Sequence, residues 1–168
     1  MSDNEITEEQ QDEDIILSTL TKVRAEELTA ISQYMGHAYR LNADGYEPFA
    51  EKMEEIAKIE MKHAEVIGKR IAILGKVAGH RKLFTPKTVE TVTILQMADA
   101  NMELEINAIG FYNDAITVCR EQKDNVSANI LNSIIMDEQE HMEFFQDVSN
   151  LVKTHGDVYI VKWASGPK

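Results

Sequence analysis

Cys119 is the chain's one cysteine. A single thiol excludes a disulfide framework and any multi-cysteine metal site. Proline (3) and glycine (8) are scarce among 168 residues, which disfavours a loop-rich fold and favours long helices. No apolar run approaches the roughly 20 residues needed to cross a bilayer, and no basic, apolar leader opens the chain. These absences predict a cytoplasmic protein with no membrane partner. Basic residues are also in deficit, 17 against 29 acids, for a net charge of −12, which argues against nucleic acid as a partner.

The negative charge is uneven. Residues 1–14 hold seven acids and no base, so residues 15–168 carry −5. This composition predicts an acidic, disordered tail over 1–14. The chain as a whole is 43% hydrophobic, enough for one core over the remaining residues.

Within that core-forming region a set of residues recurs at one offset. Glu27, Tyr34, Glu60 and His63 return 78 positions later as Glu105, Tyr112, Glu138 and His141. Apolar neighbours keep the offset, as in Ala30/Ala108, Ile31/Ile109 and Ile56/Ile134. Each half supplies two carboxylates, a phenol and an imidazole.

The periodicity predicts four long helices, all-α. The first spans about Ile15 to Leu41 and breaks at Asn42-Ala43-Asp44-Gly45. Pro48 suits the first turn of the second, which runs to about Lys76 with Phe49, Met53, Ile56, Glu60, His63, Ile67 and Ile71 inward. Thr85-Pro86 reads as the cap of a third helix from about Lys87 to Gln122. The fourth spans about Val126 to Thr154 and stops at Gly156. Beyond it, residues 157–168 hold a small apolar cluster, Val158, Tyr159, Ile160, Val161 and Trp163. Like hairpins facing each other make helices two and three parallel, joined by a long crossover at residues 79–86.

The repeated acids fall on the stripes that face inward. Burying a lone carboxylate costs several kcal/mol. Four of them in one core demand compensating cations. One Glu from each of two helices plus Glu-x-x-His from each of the other two is the di-iron or di-manganese pattern of helical bundles. Glu-x-x-His alone is a weak signal, but two such pairs and two further acids at one offset are a strong one. Four carboxylates also neutralise two Fe²⁺. Met61 points about 100° away from Glu60 around its helix and has Gln139 at its 78-offset position, outside the repeat. By itself it reads as an interface filler. His37, His80 and His155 lack the preceding Glu and are expected at the surface, and Cys119 is expected to be a packed thiol.

At Glu27-Leu-Thr-Ala-Ile-Ser-Gln-Tyr34, Glu60-Met-Lys-His63, Glu105 and Asp137-Glu-Gln-Glu-His141 the chain resembles bacterioferritin, over roughly residues 15–160. The resemblance implies a ferritin-like four-helix bundle over 15–156 and a ferroxidase centre of two iron ions per subunit. Glu27 and His63 would hold one iron, Glu105 and His141 the other, with Glu60 and Glu138 bridging. It implies a 24-subunit iron-storage shell built of dimers, with heme between subunit pairs on Met61. It implies Fe(II) and O2 or hydrogen peroxide as substrates, a small redox partner for iron release, and a C-terminal segment at a subunit junction. Tyr34 and Tyr112 read by themselves as core aromatics whose hydroxyls bond a ligand carboxylate; the resemblance also gives Tyr34 a role as electron donor during O2 reduction. One departure stands out: many bacterioferritins have an acid before the first bridging Glu, and here it is Ile59. The rival readings are a di-iron or di-manganese oxidase or peroxidase of rubrerythrin-like type without a storage shell, and a metal-free structural bundle. The four-cysteine iron domain usual in rubrerythrins is excluded by the single cysteine.

Overall fold

In the computed structural model, residues 8–78, 84–86 and 93–160 are described. Four helices account for most of them: α1 (Glu8–Ala43), α2 (Glu47–Ile73), α3 (Ile94–Glu121) and α4 (Asn125–His155). No strand occurs among the described residues.

Each helix starts and stops for local reasons. Gly45, at φ +84°, turns the chain between α1 and α2, and proline occupies the first turn of α2. Thr93 caps α3 in a reciprocal pair with Gln96, each side chain accepting from the other's backbone N–H. Asp124 caps α4 by accepting from the Ser127 backbone N–H at 3.0 Å.

Two boundaries differ from the sequence-based expectation. Helix α1 begins at Glu8, inside the expected acidic tail. Glutamate and glutamine are good helix formers, and acids near a helix N-terminus complement its dipole. Residues 1–7 lie outside the described residues. Helix α3 begins at Ile94 because Thr93 and Gln96 form the cap, whereas Thr85 and Pro86 belong to the crossover.

The packing gives two antiparallel hairpins. α1 lies along α2 and α3 along α4, and the pairs meet through α1 on α3 and α2 on α4. α2 and α3 run parallel. The Asn101 side-chain N–H donates to Met53 Sδ near both helix starts. Near the end of α2, Arg70 reaches Asp124 and Ser127, just past the end of α3. α2 is 27 residues, roughly 40 Å. The connection between α2 and α3 must span that length, more than the roughly 26 Å that the expected eight residues reach. Midway along it, the Phe84 backbone N–H donates to Thr29 Oγ1 of α1, and its ring packs near Phe111.

The core is two apolar clusters. One contains Phe49, Met53, Met97, Phe145 and Ile160, the other Leu20, Ile67, Ile71, Ile116 and Leu131. Ile160 thus packs on its own bundle. Its backbone is held by a turn just after Gly156, while Val158 and Tyr159 remain exposed. Val161 and Trp163 lie outside the described residues. Cys119 is buried in the second cluster, where desolvation pushes its thiol up to about 11.

Candidate metal centre

Between the two apolar clusters all six repeated acid and imidazole side chains converge. Glu27, Glu60, Glu105 and Glu138 are each 2% exposed or less, and both imidazoles are buried. Their oxygen and nitrogen atoms form two overlapping groups, Glu27, Glu60, His63 and Glu138, and Glu60, Glu105, Glu138 and His141. Within each group the donor atoms lie within 4.8 Å of one another. Glu60 and Glu138 belong to both.

The distances repeat the twofold pattern. His63 Nδ1 lies 3.0 Å from Glu60, 3.0 Å from Glu138 and 3.4 Å from Glu27. His141 Nδ1 lies 2.8 Å from Glu60, 3.6 Å from Glu105 and 3.9 Å from Glu138. His63 Nδ1 is hydrogen-bonded to Glu60 Oε2, but closeness is not hydrogen bonding throughout the layer. Glu60 Oε1, Glu105 Oε2, Glu138 Oε1 and His141 Nδ1 are buried with no hydrogen-bond partner among the described residues, although His141 Nδ1 and Glu60 Oε1 are neighbours. An unmade buried hydrogen bond costs about 1–3 kcal/mol, more for a charged group. All four belong to residues of the two overlapping groups, a donor set that a cation would satisfy.

The electrostatics describe the same strain. Burial raises the Glu27 carboxyl well above its ordinary range, and the neighbouring Glu138 and Glu60 charges add to this against the pull of His63. Glu105 is likewise raised, by burial first and then by Glu138 and Glu60. For Glu60 burial acts upward but is outweighed by the two imidazoles, and its pKa falls to about 2. His63 is desolvated, yet its bonds to Glu138, Glu27 and Glu60 carry it far above the usual imidazole value. The raised Glu27, Glu105 and His63 favour holding protons, which lessen the charge gathered here. Two divalent ions would replace them with no net charge left over.

The tyrosines complete the layer by crossing between hairpins. Tyr34 O–H of α1 donates to Glu105 of α3, and Tyr112 O–H of α3 donates to Glu27 of α1. Burial raises both phenols above their ordinary value, so they stay protonated donors. Next to the site, Gln33 donates to Asn101 Oδ1 at 2.9 Å.

Other sequence-predicted positions stand apart. Met61 is on α2 but outside the layer, 56% exposed. Ile59 is half-buried one residue before Glu60. His155 is exposed, and His80 lies outside the described residues. His37 is buried, not at the surface. It lies three residues after Tyr34 and seven after Ala30, so helical spacing turns it inward without a Glu-x-x-His context. Sequence reasoning also assigned no role to Asp137. Its Oδ2 accepts from His63 Nε2 at 3.0 Å, on the ring's far side from the acid cluster. Its place directly before Glu138 in a helix was the available signal.

Comparison with known proteins agrees with this geometry. The family model described as Ferritin-like domain matches residues 17–154. A bacterioferritin of Desulfovibrio desulfuricans is 36% identical over 152 residues, covering 90% of this chain and 84% of that protein. A bacterioferritin of Streptomyces coelicolor is 31% identical over 142 residues, covering 84% of each. An X-ray structure of the Desulfovibrio desulfuricans bacterioferritin, which describes its diiron site in different catalytic states, superposes with a TM-score of 0.82. That alignment is 32% identical and covers 94% of this chain and 91% of the other. The chain belongs to the bacterioferritin family of ferritin-like proteins.

Proposed function

We propose that the protein is a ferroxidase and iron store, oxidising Fe(II) to Fe(III) and keeping the ferric product as mineral inside a 24-subunit shell. The observation that carries this reading is the buried layer of four carboxylates and two imidazoles with donor atoms left unpartnered among the described residues. Oxygen and imidazole donors suit iron or manganese. Glu27 and His63 would hold one ion, Glu105 and His141 the other, and Glu60 and Glu138, common to both groups, would bridge. Paired ferrous ions there would supply two electrons to O2 or hydrogen peroxide.

The chain's own residues do the rest. Glu60 lies within 3.0 Å of both imidazoles, so incoming ions would meet donors already gathered. Tyr112 holds Glu27 in place, and Tyr34 holds Glu105. Tyr34 is one hydrogen bond from a ligand carboxylate, close enough to act also as an electron donor.

Met61 presents a soft sulfur on the exposed side of α2, where a second subunit's methionine can meet it across a twofold axis. A heme shared between two subunits fits that position. Val158 and Tyr159 leave apolar surface after α4, which suits a junction in a shell. Among the described residues no helix is long and apolar enough to cross a membrane. The store is proposed to be cytoplasmic, and a small redox partner would return electrons for iron release.

Two measurements test the reading. Anaerobic Fe(II) titration followed by oxygen should give two ions oxidised rapidly per subunit, then slower mineral growth. Light scattering should give a particle of many subunits. Rapid oxidation in a small oligomer with no mineral would favour the non-storage oxidase. Absence of metal binding would leave only a structural bundle. For heme, Met61→Leu conserves volume and should keep the dimer while losing the porphyrin absorbance. Unchanged porphyrin content would remove Met61 from the site.

A further inference from the structure

The two proposed ion positions are related by the 78-residue repeat, and their inner donors match pair for pair. Their outer partners do not. His63 donates from its second ring nitrogen, Nε2, to Asp137 at 3.0 Å. His141 is the repeat partner of His63, and the repeat partner of Asp137 is Ile59, since both pairs differ by 78. Isoleucine offers no acceptor. Among the described residues, the polar neighbours of His141 are all on its Nδ1 side, namely Glu60, Glu105 and Glu138. The tyrosine bonds are reciprocal, Tyr34 to Glu105 and Tyr112 to Glu27, while on the inner side His63 Nδ1 is hydrogen-bonded to Glu60 and His141 Nδ1 has no such bond among the described residues. On the outer side the imbalance lies in one pair of positions, Asp137 and Ile59.

A carboxylate on the far nitrogen of a ligating imidazole fixes its tautomer, locks its ring orientation and raises its basicity, and losing it typically costs 10–100-fold in metal affinity. We propose that this one pair makes the two positions unequal: the Glu27/His63 position, braced by Asp137, holds a divalent first-row ion tightly. The Glu105/His141 position, facing Ile59, holds its ion weakly and exchanges it first. Asp137 is then a positioning residue, acting through His63 without touching the ion. This inference rests on the paired-ion reading above.

The test is anaerobic titration of the assembled protein with Co²⁺, followed by calorimetry and visible absorption, neither of which needs turnover. Wild type should take up two ions per subunit in a tight and a weak step. Repulsion between neighbouring ions would also split a symmetric site, so the variants decide. Ile59→Asp should tighten the weak step by about 10-fold or more and leave the strong step in place. Asp137→Ile, at a half-exposed position that tolerates change, should weaken the strong step by about the same factor. His141→Ala should leave one tightly held ion, and His63→Ala one weakly held ion. Two ions whose affinities are unmoved in both Ile59→Asp and Asp137→Ile would overturn the inequality and leave the paired site standing. Uptake of no Co²⁺ would overturn both. Should Ile59→Asp fail to assemble, Asp137→Ile with the two histidine variants still decides the question.

Discussion

The bundle has two kinds of interior. At both ends the core is apolar and close-packed, with Phe49, Met53 and Phe145 in one cluster and Leu20, Ile67 and Leu131 in the other. In the middle it is a layer of acids, imidazoles and phenols, equally buried. The ends stabilise the fold, at about 25 cal/mol per Å² of apolar surface removed from water. The middle opposes folding unless its charges are answered. The difference teaches that the ends hold the middle in place. Their packing energy keeps four carboxylates in a geometry those carboxylates would not choose alone.

Breaking each region in turn should give opposite signatures. The largest effect is expected from Glu138→Ala, which removes one of the two shared carboxylates. Rapid Fe(II) oxidation, followed by ferric absorbance in stopped flow, should drop by at least about 100-fold, in the range seen when a preorganised charge-stabilising group is removed. The helical circular dichroism should persist, and the metal-free melting temperature should hold or rise, because a buried charge has gone. Wild-type oxidation in that variant would place the chemistry elsewhere.

Leu131→Ala should do the reverse. Leu131 is fully buried in the second cluster. Its truncation should cost about 2–5 kcal/mol in denaturant unfolding. Oxidation per folded subunit should change little.

A pH series sharpens the comparison next. Glu27 and Glu105 have folded pKa values above the unfolded 4.5, so the folded protein binds more protons than the unfolded chain once pH exceeds 4.5. Their contribution to stability is complete below 4.5 and is lost as pH rises. His63 acts in the same direction above 6.5. Glu60 acts oppositely, its contribution fading as pH falls from 4.5 towards 2. The metal-free melting temperature should therefore decline from about pH 5 to pH 8, and loading with Co²⁺ should raise it more at pH 8 than at pH 5. Equal metal-induced shifts at the two pH values would contradict proton replacement.

The smallest expected effect concerns Glu26, a buried acid outside the central layer. It borders a cavity of about 300 Å³ with Thr29, Gln33, Phe84 and Phe111. Desolvation raises it to about 7, against the pull of Lys22. Glu26→Gln should stabilise the protein at pH 8 by about 1–2 kcal/mol, with little change at pH 4.5. A variant equally stable relative to wild type at both pH values would show that Glu26 carries no burial penalty.

Much of this contrast could be read before any coordinates. The 78-residue offset picks out all six central side chains because two like hairpins need like residues at like heights. The inward stripes predict their burial. Helix onsets were harder. The Thr85-Pro86 pair has the look of a cap, but Thr93 with Gln96 satisfies two backbone N–H groups at once, and local competition of this kind is decided by geometry. His37 shows a different blind spot: grouping histidines by motif ignored the helical spacing that turns this one inward.

The sequence by itself determined the fold class, the parallel middle helices and the identity of the central acids and imidazoles. Each follows from a period along one chain, and a period specifies which residues are equivalent. Only the tertiary structure decided which equivalents meet. Tyr34 answers Glu105 rather than its own helix's Glu27, Asp137 braces His63, and Ile160 closes back on its own subunit. Those choices depend on how far one helix is turned and slid against another, and side-chain packing across the bundle sets those two quantities.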